Sequence, residues 1–300
     1  MAEAGVLATV LIWSANFVVV KAAIGVMGPL TFTGARYVVA SLTLLAILRW
    51  RQGAIRPPAG RGLVLIGLGM LGFGLYQVLW TIGLTQISAG DSALIVAASP
   101  VLVALLAGAV GMDVLSPPKL AGALIAFAGV AVVITGGQGV SLGSSLLGDG
   151  LTLGAATLWA VYTVGGTRIL RHVDPLQATT WTVIGGSLIL VPLGLVDAAA
   201  RGGGGFSPAT VVAIVYSGAF AAGIANVLVF NAIRFVGPTR ATAMQFLVPA
   251  GAVVLGAVFL AETVGLPQVL GGVVIVFGVW LTRRPAIVSA TVRARLPLAR

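Results

Sequence analysis

The side chains with chemistry to offer are few, and most are aromatic rings, amides and hydroxyls. In the stretch LWAVYTVGGTRIL, Trp159, Tyr162, Thr163 and Gly166 fall on one helical face at about 100° per residue. The stretch WSANFVVVKAAI sets Trp13, Asn16 and Phe17 at the matching positions, Trp13 lying 146 residues before Trp159. Tyr76, Gln77 and Trp80 share a further apolar run, Asn226 and Phe230 another, Thr242, Gln245 and Pro249 a third, Ser92 and Ser99 a fourth. Rings and neutral hydrogen-bonding groups hold small organic molecules by apolar burial and a few directed bonds. The candidate ligand-contacting residues are therefore Trp13, Asn16, Tyr76, Gln77, Trp80, Ser99, Trp159, Tyr162, Thr163, Asn226, Phe230 and Gln245. The competing reading makes the amides and hydroxyls interhelical glue and the rings an interfacial belt.

Catalysis has no foothold. The single histidine, His172, sits in a basic segment beside Arg171 and Asp174. The seven carboxylates fall at termini, loops and helix ends, so neither a metal cluster nor a paired acid and base assembles. Cysteine is absent, which removes disulfides and thiolate chemistry. GGQG follows no strand and lacks phosphate-loop spacing. No enzyme, metal or cofactor is expected.

The elements that must position these residues are membrane helices. The chain of 300 residues is 59% hydrophobic and 8% charged, with a mean hydropathy of +1.11. A bilayer core takes about 20 apolar residues per helix, and such runs follow one another almost end to end. Ten spans are expected: Val6–Met27, Leu30–Leu48, Gly62–Leu84, Ser92–Met112, Pro118–Thr135, Gly150–Arg168, Leu176–Val196, Val211–Ile233, Arg240–Leu260 and Pro267–Leu281. The N-terminal MAEAGVLATVLIW has no basic leader and reads as an uncleaved first span. With the N-terminus inside, fourteen of the seventeen basic residues fall in inner loops or the tail, Lys119 among them, and only Arg201 outside. Both termini are then cytoplasmic. A net charge of +10 distributed this way suits anionic lipids at the inner face, not nucleic acid.

The sequence repeats itself. Pro100, Asp113, Pro118, Gly122 and Gly129 return as Pro249, Glu262, Pro267, Gly271 and Gly278, each 149 residues later. Pro29-Leu30 returns as Pro175-Leu176 and Ser41-Leu42 as Ser187-Leu188, each 146 later. The chain divides into five-helix units at residues 1–143 and 144–284, with a basic tail at 285–300. Five spans are an odd number, so the second unit is upside down relative to the first. Inverted repeats are a transporter architecture with the binding site at mid-membrane. Pro100 cannot donate to the Val96 carbonyl, nor Pro249 to that of Gln245, which marks both as hinge candidates.

The pattern GLTQISAGDSALIVAASPVLVALLAGAVGMD followed by PPKLAGALIAFAGVAVVI resembles one EamA repeat of the drug/metabolite transporter superfamily. AIRFVGPTRATAMQFLVPAGAVVLGAVFLAETVGLPQVLGGVVIVFGVWL resembles the other. The resemblance covers nearly the whole chain and implies an all-α, ten-helix transporter of small organic metabolites in a bacterial cytoplasmic membrane. Its cavity would be lined mainly by helices 1, 3, 4, 6, 8 and 9. Asp113 stands where the family more usually has Glu. Aromatic or large neutral amino acids, leaving the cell, are the expected substrates. Proton-coupled drug export, exchange of sugar phosphates or nucleotide sugars, and a non-transporting membrane scaffold are the alternatives.

Two cations lie within spans, where charge is costly. Lys21 and Arg36 each sit roughly 9 Å from the outer surface at 1.5 Å per residue. Arg36 is expected to snorkel, and Lys21 shares a face with Ser14 and Phe17, which suits a gate. No carboxylate occupies the middle third of a span, so obligatory coupling to protons or sodium is not expected. Asp91 and Glu262 would be the titrating groups otherwise.

Overall fold

The computed structural model describes residues 2–24, 26–84, 86–87, 92, 95–113, 116–137, 145–202, 205–260 and 265–282. Side chains are described for these except 2–4, 17, 18, 21, 84, 133–137, 252, 253, 256–260 and 268. Lys21, Asp91, Glu262 and the 285–300 tail thus lie, as side chains, outside the described residues.

Every described element is helical. We number them α1 (Ala2–Ile24), α2 (Pro29–Gln52), α3 (62–84), α4 (Ser99–Ala109), α5 (Pro117–Gly137), α6 (Leu146–Ile169), α7 (Pro175–Ala200), α8 (Pro208–Val236), α9 (238–260) and α10 (Leu266–Thr282). Helices α2, α7 and α8 and the Gly62–Gly83 part of α3 are long and apolar enough to cross a membrane. Shorter apolar stretches lie in α1 (Gly5–Asn16), α4 (Ser99–Ala109), α5 (Pro117–Val132) and α10 (Val269–Thr282). Local sequence sets many of the starts. Pro29 and Pro175 open their helices at a position that needs no N–H donor. Asp174 accepts from the Leu176 N–H at 2.9 Å, and Ser207 and Thr210 form a reciprocal capping box. Gly53, at φ 71°, closes α2 with its N–H on the Arg49 carbonyl.

Three helices depart from regular α geometry. α3 passes through a π-helical stretch at Met70–Leu75 and α8 through one at Tyr216–Ile224. Gly74 and Gly223, 149 residues apart, lie within these stretches. α9 begins at Pro238–Ala243, tightens to a 3-10 turn at Met244–Phe246, then resumes at Leu247–Leu260. The expected span Ser92–Met112 is also interrupted: α4 starts only at Ser99, after a turn at residues 97–98. Both interruptions lie just before a proline, Pro100 or Pro249. The Val96 carbonyl that Pro100 leaves without a donor accepts the Ser99 hydroxyl at 2.7 Å.

Helices pack in matching pairs: α2 on α7, α5 on α10, α1 on α8 and α9, α6 on α3 and α4. α2 and α7 run antiparallel. Ser41 Oγ meets Ser187 Oγ at 2.9 Å, and the backbones cross where Gly34 approaches Gly194 closely enough to exclude a side chain on either. α5 and α10 are likewise antiparallel. A Cβ on Gly122 would stand 2.6 Å from the Gly278 carbonyl, and one on Gly129 2.9 Å from the Gly271 carbonyl. Small residues let membrane helices approach when lipid supplies no hydrophobic drive between them.

The outside of the molecule is apolar. Leu42, Leu63, Leu188, Val212, Val273 and Trp280 are among many large apolar side chains left exposed. The inside holds hydroxyls: Thr9, Ser14, Thr152, Thr180, Thr182, Ser217 and Thr242 are buried. An exposed apolar patch this extensive requires an apolar surrounding.

Candidate functional site

Five helices meet around a continuous aromatic cluster. Trp159 of α6 stands with its ring centroid 6.1 Å from Trp13 of α1, 5.6 Å from Tyr76 of α3, 6.0 Å from Phe73 and 5.3 Å from Tyr162. Tyr162 lies 4.8 Å from Phe73 and stacks on Phe230 of α8 at 5.2 Å and 21°. Tyr37 of α2 closes the far side, 5.8 Å from Phe73. Helical periodicity puts Trp159 and Tyr162 on one face. Glycine lets the rings in: a side chain on Gly72 would occupy the Tyr162 ring, and a Cβ on Gly166 would stand 2.7 Å from Phe230 Cζ.

Polar bonds tie the cluster to its helices. Trp13 Nε1 donates to the Ala221 carbonyl at 3.0 Å, inside the π-helical stretch of α8. Asn226 Nδ2 donates to the Ala221 and Ala222 carbonyls at 3.2 and 3.0 Å, groups that the irregular helix leaves available. The Tyr162 hydroxyl shares a 3.3 Å bond with Thr182, and Gln77 Nε2 donates to the Tyr37 hydroxyl at 3.4 Å.

The structure thus gathers Trp13, Tyr76, Trp159, Tyr162 and Phe230 into one body, with Gln77 bonded to its rim. The depth differs among them. Tyr162 and Phe230 are core residues at 1% and 2% exposure, whereas Trp13, Tyr76 and Trp159 are part-exposed. Thr163 is buried. Trp80 is part-exposed and joins no ring pair among the described residues. The Ser99 hydroxyl is spent on the Val96 carbonyl, just before its helix. Asn16 follows Trp13 by nearly one turn. Gln245 lies in the 3-10 turn of α9, one turn before Val248, whose carbonyl accepts from Ser14 of α1 at 3.0 Å. Pro100 is buried at the head of α4 and Pro249 part-buried in α9.

Three buried amide atoms, Asn16 Oδ1 on α1, Gln77 Oε1 on α3 and Gln245 Nε2 on α9, meet no hydrogen-bond partner among the described residues. Leaving such an atom unmet costs about 1–3 kcal/mol. A polar ligand or water that reached all three would recover that cost.

Sequence reasoning overlooked Phe73 and Tyr37. Phe73 was legible, since it precedes Tyr76 and Gln77 by three and four residues on one helix. Arg36 corrects an expectation: it does not snorkel but is buried, 5% exposed, with Nη1 donating to Ser217 of α8 at 3.1 Å. The reach of an arginine along its own helix does not reveal that a second helix covers it. Lys119 also differs from its place among the loop cations. It lies in the first turn of α5, 7% exposed, and is paired with Asp113.

Comparison with known proteins gives consistent matches along the chain. The EamA-like transporter family matches residues 1–135 and again 146–284. An uncharacterized transporter of Archaeoglobus fulgidus is 29% identical, covering 91% of this chain and 94% of the relative. A probable terminal-alkyne amino-acid exporter of Streptantibioticus cattleyicolor is 28% identical over 92% and 91%. The transporter YyaM of Bacillus subtilis is 26% identical over 88% of both chains. One solved crystal structure shares the fold, with a TM-score of 0.77 at 21% identity over 94% of this chain and 97% of that one. With two family matches that together span most of its length, the chain belongs to the EamA-like transporter family, within the drug/metabolite transporter superfamily.

Proposed function

We propose that this protein exports aromatic or large neutral amino acids across a bacterial cytoplasmic membrane by alternating access. The observation that carries the reading is the aromatic cluster of Trp13, Tyr76 and Trp159, with Gln77 bonded to its Tyr37 and keeping Oε1 without a partner among the described residues. A ring or branched side chain would be buried against the indoles, gaining about 25 cal/mol per Å² of apolar surface removed from water. The ammonium would be met by amide oxygens such as Gln77 Oε1 and Asn16 Oδ1. The amino-acid exporter among the relatives supports the same substrate class.

The architecture we assign is ten spans in two inverted five-helix units, residues 1–143 and 144–284, with both termini cytoplasmic. Its support is the antiparallel packing of sequence-related helices, α2 on α7 and α5 on α10. Pro100 and Pro249 lie just after helix interruptions in related positions, which suits hinges that tilt α4 and α9 against α6 and α1 as access alternates. Transport runs down the substrate gradient without obligatory ion coupling.

The test is uptake and counterflow into liposomes holding the purified chain, with a panel of amino acids, amines and sugar phosphates. Saturable counterflow restricted to aromatic and large neutral amino acids is the expected result. Accumulation above the external concentration that an ionophore abolishes would overturn the uncoupled reading. Transport of sugar phosphates alone would overturn the substrate class.

A further inference from the structure

Arg36 carries a charge that no described residue neutralises. Its guanidinium is buried on α2, held by the Ser217 hydroxyl and lying 5.5 Å from the Tyr37 ring and 5.9 Å from the Phe32 ring. Its Nε has no hydrogen-bond partner among the described residues. The ion pairs found there, Lys119 with Asp113 and Arg201 with Asp197, lie elsewhere. A hydroxyl and two ring faces recover only part of the desolvation cost of a buried cation. The site is also built for close approach: α8 comes up against the Arg36 backbone at Gly218, where no side chain would fit.

The cation adjoins the aromatic cluster. Tyr37 touches both the guanidinium and Phe73, and the Phe73 ring centroid lies 6.0 Å from that of Trp159. Two side chains, Tyr37 and Phe73, therefore link this cation to the part-exposed Trp159. We infer that Arg36 receives the anionic group of the substrate, and that the transported class is small monocarboxylates bearing an apolar or aromatic body. One guanidinium balances one carboxylate and presents the planar fork that a carboxylate matches. A phosphate dianion would leave a net negative charge at this cation. The inference rests on the export reading and names the group that the substrate must carry.

The experiment uses the full chain and three ligands: phenylalanine, 3-phenylpropionate, which lacks the ammonium, and phenethylamine, which lacks the carboxylate. Binding is read by ligand-induced thermal stabilisation and transport by liposome counterflow. The wild type is expected to prefer both carboxylates over phenethylamine by roughly tenfold or more. Arg36→Gln should weaken the two carboxylates roughly 10- to 100-fold, equivalent to about 1.4–2.8 kcal/mol, and erase the preference. Its ligand-free Tm should not fall, because an unpaired buried charge has been removed. Arg36→Lys should retain part of the preference. A preference that survives in Arg36→Gln would overturn the inference, as would a Tm that falls while all three ligands weaken alike. Carboxylate-selective binding without flux would support the role of Arg36 and sink export. Flux indifferent to the carboxylate would do the reverse, and a wild type that binds none of the three would overturn both.

Discussion

Replacing Trp159 by alanine removes the ring at the centre of the cluster, and the structure sets the size of the loss. The indole contacts four other rings, those of Trp13, Phe73, Tyr76 and Tyr162, at centroid separations of 5.3–6.1 Å. Each such pair contributes about 0.5–1.5 kcal/mol beyond area burial. Trp159 is only part-buried, so stability should fall by about 2–4 kcal/mol, toward the lower part of the range for large aromatic truncations. Recognition should suffer separately, since Trp159 supplies an accessible apolar wall. A loss of about 1–2 kcal/mol of burial for an aromatic substrate corresponds to roughly 5- to 30-fold weaker binding. Trp159→Phe should restore most of the stability and part of the affinity, because it keeps a ring against Tyr76. The assay pairs thermal unfolding in detergent with counterflow of phenylalanine and leucine across a substrate titration. Trp159→Ala that unfolds at the wild-type temperature would refute the packing argument. Trp159→Ala that loses stability yet transports phenylalanine with unchanged affinity would refute the recognition argument.

Gly278→Leu should abolish the folded yield, because even a Cβ at this position collides with the Gly122 carbonyl at 2.7 Å on α5. Gly272→Ala on the same helix, with open space around it, should unfold within about 1 kcal/mol of wild type, since helix propensity alone changes there; fluorescence-detected gel filtration reads both. Asp113→Asn should destabilise by about 1–3 kcal/mol, since the Lys119 ammonium stays buried and loses the carboxylate charge beside it. Adding Lys119→Met should recover most of that loss in a thermal double-mutant cycle. Reporter fusions at positions 55 and 300 should both read as cytoplasmic and one at 203 as external; an external tail would require an odd number of spans.

Much of this molecule is determined by the sequence alone, because its strongest signals are local or repeated. Apolar run length dictates membrane helices, and Pro29, Pro175 and Ser207 mark where helices begin with no help from packing. The pairing of Ser41 with Ser187 and of the α5 and α10 glycines is already latent in the repeat spacing. Helical periodicity places Trp159, Tyr162 and Gly166 on one face, and duplication ties Trp13 to them. Periodicity does not say what lies opposite a face. Only the packing of α8 against α2 buries Arg36 instead of letting it snorkel, because burial is decided by the neighbour that covers a side chain. Only the backbone irregularities decide which polar groups are spent. Ser99 bonds the carbonyl that Pro100 frees, Asn226 bonds carbonyls of the π-helical stretch, and both are thereby engaged by backbone within five residues. The amides of Asn16, Gln77 and Gln245 resemble them in sequence, yet each keeps an atom unmet among the described residues. That difference depends on partners distant along the chain, and tertiary structure alone brings such partners together or keeps them apart.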